Sequence, residues 1–186
     1  MATPHPNRDA DLAPLRQALK GQYRAGLAML RDAVERCPDA TWRDPAPTNA
    51  FWQVAYHVLF YTHLYLQPDL EAFRPWPGHQ GDVQHEDGIA GPADPASSLP
   101  LVAQPYTKAQ VLAYADHVDA LVDGVDALDL DADSSGFSWY AMGKLEHQLV
   151  NLRHLAHHAG QLADRVRATT GDGVRWVSRG AAPTDA

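Results

Sequence analysis

The chain reads as all-α, a four-helix bundle in one domain with a long loop between its second and third helices. Three observations predict this. Apolar residues recur three and four positions apart through Leu12, Leu15, Leu19, Tyr23, Leu27, Leu30 and Val34, and again through Val111, Tyr114, Val118, Leu121, Val125 and Leu128, each the stripe of an amphipathic helix. The segment Ala50 to Leu66 is apolar nearly all round, so it must be buried on most sides. A length of 186 residues suits one core and is short for two.

Residues 1–10, polar with two prolines, read as an N-terminal arm, 11–170 as the bundle and 171–186 as a C-terminal tail. The first helix runs from about Asp11 to Arg36 and stops at Cys37-Pro38, because the residue before proline is pushed out of the α region. Ala40 to Pro47 is a connector. The second helix spans Ala50 to Leu66, with Thr48 or Asn49 as its cap, and Pro68 ends it. From Gln67 to Pro105 seven prolines leave no period, so this is a loop, and its Trp76, His79, His85, Glu86 and Asp87 could drape over a site. Thr107-Lys-Ala-Gln110 is a capping-box pattern that opens the third helix. Asp129 to Gly136 is a turn. The fourth helix runs from Phe137 or Ser138 to Ala168, and Val174, Trp176 and Val177 beyond it are expected to dock back onto the bundle.

Composition narrows the function classes. Lys and Arg number 15 against 23 Asp and Glu, a net charge of −8. Nucleic-acid binding draws on basic residues that neutralise phosphates, and an anionic membrane surface demands the same sign of charge, so neither partner is expected. One cysteine, Cys37, permits no intrachain disulfide and no CxxC pair. With no apolar run after Met1, the chain reads as soluble and cytoplasmic. Ten histidines direct attention to metal chemistry.

The histidines are concentrated in Glu146-His-Gln-Leu-Val-Asn-Leu-Arg-His-Leu-Ala-His-His-Ala-Gly-Gln161. With Arg153 at zero and about 100° per residue, His154 falls near 100°, His147 near 120°, His158 near 140° and Asn151 near 160°, on the flank of the buried face. His157 falls on the polar face and points to water. His154 and His158, four apart, have the geometry of a two-point metal clamp, and they also read as core-edge imidazoles bonded to their neighbours. His57 lies in the middle of the apolar second helix, where a lone imidazole needs a partner: a hydroxyl, a carbonyl or a metal. His63 lies about 240° further round and is not expected at the same site. Together His57, His154 and His158 supply three nitrogens across a helix pair, with Asn151 and Gln161 placed as outer partners that orient an imidazole or a bound water. His147 is a pocket or core-edge residue before it is a fourth ligand, and Tyr56 and Tyr61 flank His57 and can line the cavity.

Other metal and nucleophile patterns are excluded: there is no Glu-x-x-His, no His-Glu-x-x-His, no serine-hydrolase elbow and no phosphate loop. Trp52-Gln-Val-Ala-Tyr-His57, followed by Asn151-Leu-Arg-His154-Leu-Ala-His-His158-Ala-Gly-Gln161, resembles the DinB/YfiT-like superfamily of four-helix bundles over about residues 11–170. The resemblance implies a divalent metal, nickel or zinc, held by the histidine triad with its other positions open, and a homodimer. It also implies thiol chemistry, S-transfer or isomerisation with a low-molecular-weight thiol such as bacillithiol or mycothiol. Ala159, where the family often carries a basic residue, and the long Gln67–Pro105 loop depart from the pattern. The expected function is that of a metal-dependent small-molecule enzyme, a thiol-dependent S-transferase or hydrolase. The competing reading is a non-catalytic dimeric bundle whose histidines are structural or bind metal incidentally. No carboxylate on the second or fourth helix is placed as a general base.

Overall fold

Proline, glycine and a few side-chain caps set the ends of the helices in the computed structural model, which describes residues 8–44, 49–81 and 105–181. Helix α1 spans Arg8–Arg36, beginning three residues before the expected Asp11, with Pro14 inside its second turn. A short helix, α2 (Asp39–Trp42), lies in the expected connector, where buried Trp42 donates its indole N–H to the Tyr106 carbonyl at 2.8 Å. Helix α3 spans Phe51–Tyr65. Its N-cap is Ala50, not Asn49, and the Ala50 N–H is satisfied by Gln53 Oε1 at 2.8 Å; Thr48 lies outside the described residues. Helix α4 (Lys108–Leu121) opens on the expected capping box, Thr107 accepting from the Gln110 N–H while Gln110 Oε1 accepts from the Thr107 N–H. Beyond Leu121 the chain tightens into a 3₁₀ turn over Val122–Ala127. There Asp123 and Asp126 pair with Arg24 and Lys20 of α1 at 2.9 and 2.5 Å.

Helix α5 (Lys144–Thr170) starts six residues after Ser138, where the sequence suggested it would. The cause is local. Gly136 takes a left-handed backbone (φ 84°) and Ser135 Oγ accepts from the Phe137 N–H at 3.1 Å, so residues 135–143 form a tight aromatic loop instead of a first helical turn. Phe137 and Tyr140 of that loop pack edge-on against Tyr65. Lys144, 4% exposed, donates to the Pro68 carbonyl at 2.6 Å and to the Ser135 carbonyl, joining the end of α3 to the start of α5. Burial lowers the affinity of this amine for its proton, and nearby Asp69 opposes the effect. Gly171, again left-handed, closes α5.

Among the described residues there is no strand, and α1, α3, α4 and α5 surround one core. Contacts order them: Tyr23 meets Gln148 and Gly26 meets Leu155, so α1 and α5 run together, whereas Asn151 meets Thr62 and Gln148 meets Tyr65, so α3 runs against α5. No helix among the described residues is long and apolar enough to cross a membrane.

Two outer segments differ from expectation. In the loop after α3, Phe73 packs on Phe60 and His63, Trp76 stacks on Tyr114 at 4.8 Å, and His79 Nδ1 lies 2.6 Å from the Tyr56 hydroxyl. These contacts gather on the α3–α4 side. His85, Glu86 and Asp87 lie outside the described residues. The tail does return: Val174 packs partly buried against the core, as expected, and polar bonds hold the tail to α1, Gly180 N–H to the Gly21 carbonyl and Arg175 N–H to Asp32 Oδ2, both 2.9 Å. Trp176 is 76% exposed and does not dock.

Candidate metal centre

Two antiparallel helices carry the site. Because α3 and α5 run in opposite directions, the middle of α3 faces the middle of α5, and His57 comes to lie opposite His154 and His158. His57 Nε2 and His154 Nε2 are 3.1 Å apart. The three ring centroids stand 4.6 to 5.1 Å from one another. One nitrogen of each imidazole lies within 4.8 Å of the other two, a group that could hold a metal ion.

The donor chemistry fits a cation. Two nitrogens bound at about 2.0–2.1 Å to one ion, at an angle near 100°, stand about 3.1 Å apart, the separation seen between His57 and His154. Ligating imidazoles must be neutral. Burial, reinforced by the neighbouring rings of His57, His158 and His157, lowers the His154 pKa to about 3, and burial also lowers that of His158. His158 Nδ1 lies 3.0 Å from Gln161 Oε1, an acceptor, which assigns the proton to Nδ1 and leaves Nε2 as the free donor atom. The group contains no carboxylate, so it suits ions that favour imidazole, such as zinc, nickel or copper, above magnesium or calcium. His158 is buried, whereas His57 and His154 keep partial exposure, so the centre opens toward solvent.

Around the triad, Tyr61 lies 4.8 Å from the His57 ring and edge-on to His154 at 5.8 Å. Burial raises its phenol pKa, so it stays protonated near neutrality. His157 is exposed, as its position on the helix predicts. Asn151, expected to orient an imidazole, instead donates Nδ2 to the Thr62 carbonyl at 3.3 Å. His147 is not at the rim: it is fully buried between Tyr65, Phe137 and Tyr140, at ring distances of 4.7 to 5.0 Å. Tyr56 turns to the other side of α3, stacked on Tyr106 at 4.4 Å. Cys37 is buried, its thiol pushed up to about 11, and is no nucleophile at neutral pH.

A second aromatic and imidazole group escaped the sequence reading. His63, lowered to about 4 by burial with His117 adding to the effect, lies 3.1 Å from the Tyr114 hydroxyl through Nδ1, and its ring is 5.0 Å from that of His117. The 240° offset of His63 from His57 was the available signal that it belonged to another face. Which α4 residue it would meet required the packing.

No family model, no curated protein and no solved structure matches the chain.

Proposed function

We propose that the chain binds one divalent metal ion, nickel or zinc, through His57, His154 and His158, and that it is a metal-dependent small-molecule enzyme of thiol S-transferase or hydrolase type with a DinB-like four-helix architecture. The observation that carries the reading is the 3.1 Å approach of His57 Nε2 to His154 Nε2 with a His158 nitrogen within 4.8 Å, on the open side of the α3–α5 pair. A divalent ion held by three neutral imidazoles would lower the pKa of a bound water or thiol and present it as a nucleophile near pH 7. The chain's own residues supply the setting. Gln161 fixes the His158 ring, Tyr61 walls the centre without adding charge, and partial exposure leaves a route for a thiol cofactor and an electrophilic substrate. The assembly in this reading is a homodimer.

A second reading has its own support. The same 3.1 Å approach satisfies two imidazoles by hydrogen bonding to each other, the arrangement of a non-catalytic bundle with a structural histidine cluster. Metal content measured by mass spectrometry on tag-free protein separates the two. About one ion per chain in the wild type, and none in folded H57A/H154A/H158A, supports the first; no ion in either, with equal stability, supports the second. Cobalt-substituted protein whose visible spectrum changes on adding a thiol would show an exchangeable coordination position.

A further inference from the structure

Below the triad, the seam between α3 and α5 is polar where a bundle core is ordinarily apolar. His147, Asn151, His154 and His158 fall within about 60° of one another on α5. Facing them on α3 are His57, Tyr61, Thr62 and Tyr65, with Asn151 Nδ2 bonded to the Thr62 carbonyl and Gln148 Nε2 to the Tyr65 carbonyl. Five buried atoms along this line have no hydrogen-bond partner among the described residues: His154 Nδ1, Asn151 Oδ1, Thr62 Oγ1 and both ring nitrogens of His147. His147 and Asn151 are 0% exposed, as is Thr62.

Orphaned polar atoms inside a protein are costly, and the remedy where they cluster is bound water, which needs two to four polar partners. Asn151 stands one turn from His147 and three residues from His154, so the three side chains follow one another along one flank of α5. The imidazole of His154 makes the need specific. Its Nε2 faces His57, and its Nδ1 meets no carbonyl or carboxylate to hold the proton that a ring presenting Nε2 carries there.

We propose that this seam is a buried hydration site, in which bound water is the hydrogen-bond partner of His154 Nδ1, Asn151 Oδ1, Thr62 Oγ1 and the His147 ring, so that His154 is oriented through solvent instead of by a protein group. His147 ends the line, closed off by the rings of Tyr65, Phe137 and Tyr140. The inference concerns the metal-free chain and stands independently of the metal reading.

The test uses the chelator-treated full chain with ¹⁵N-labelled histidine. Long-range proton–nitrogen correlations assign the tautomers, and water-selective cross-peaks report bound solvent. The expected result is His154 protonated at Nδ1, with water contacts at both the His154 and His147 rings. Absence of water contacts at either ring overturns the inference. Thr62→Val provides a second readout at nearly constant shape. A hydrated seam loses a bonded hydroxyl and the thermal midpoint falls by about 2–4 °C for a chain of this length, whereas a dry seam is relieved of an orphan. An unchanged or raised midpoint therefore overturns it as well. A failed metal assay leaves both measurements intact, so the two readings fail separately.

Discussion

His57 and His154 face each other Nε2 to Nε2 at 3.1 Å across two antiparallel helices, although 97 residues separate them in the chain. Because one imidazole comes from the middle of α3 and the other from near the middle of α5, the pair reports directly on how those two helices are set against each other.

A ligand that binds only the folded state raises stability by about 2.7 kcal/mol at one hundred times its Kd, which for a domain of this size is a rise in Tm of about 5–10 °C. Zinc or nickel should produce a shift of that order in the wild type and none in His154→Ala. An equal shift in the variant, read by differential scanning calorimetry, would remove His154 from the ligand set.

Gln161 should matter more than its exposed position suggests. Gln161→Leu removes the acceptor of His158 Nδ1 and is expected to weaken metal binding by about 10- to 100-fold, whereas Gln161→Glu, which keeps an acceptor, restores it. Isothermal titration with the free ion, together with the His158 tautomer in nitrogen-edited spectra, checks both halves. Unchanged affinity in Gln161→Leu would show that the side chain does not orient the ring.

Acid should unfold the protein earlier than carboxylates alone would cause. His63 and His147 have folded-state pKa values lowered to about 4 from the ordinary 6.5. The folded state therefore holds fewer protons than the unfolded chain between these values. Their stabilising contribution is complete above about pH 6.5 and is lost as pH falls toward 4. Urea midpoints should decline steadily between pH 6.5 and 4; a flat midpoint across that window would show that these rings are not buried as described.

Gly136→Ala is expected to cost at least about 2 kcal/mol. A left-handed backbone costs an L-residue about 1–2 kcal/mol, and here the added Cβ would also collide with the Pro68 carbonyl, which cannot swing aside because Lys144 holds it. Thermal melts of the variant, with Gly124→Ala as a control at a glycine in open space, provide the measure.

Much of this was legible from the residues alone. The apolar stripe of α1, the all-round apolar α3 and the Thr107 capping box each express local chemistry, and all appear where expected. The convergence of His57 with His154 and His158 was one of the arrangements the residues allowed, beside core-edge imidazoles bonded to their own neighbours. What stayed hidden was tertiary. Ser138 to Met142 reads as a possible first turn, and the pressing of Gly136 against Pro68, the Ser135 hydroxyl bonds and the aromatic nest around Tyr65 hold that stretch as a loop instead. His147 shares its flank with His154, yet two turns along the helix the opposing surface has changed from imidazole to tyrosine, which no spacing within α5 encodes. Trp176 shows the converse: its size suggested docking, but it stands exposed while the smaller Val174 packs on the core.

The buried ammonium of Lys144 gives the α3–α5 pair the mechanics of tongs. It ties the two helices together where α3 ends and α5 begins, while the imidazoles sit near the middle of each helix, about 15 Å away at 1.5 Å of rise per residue. At that lever length a tilt of about 5° about the tie would change the opening between His57 and His154 by about 1 Å, enough in the proposed metal site to decide between holding an ion and missing it. If the triad holds an ion as proposed, its grip would be set in part at the pivot, by two carbonyls and one amine that never approach the ligand.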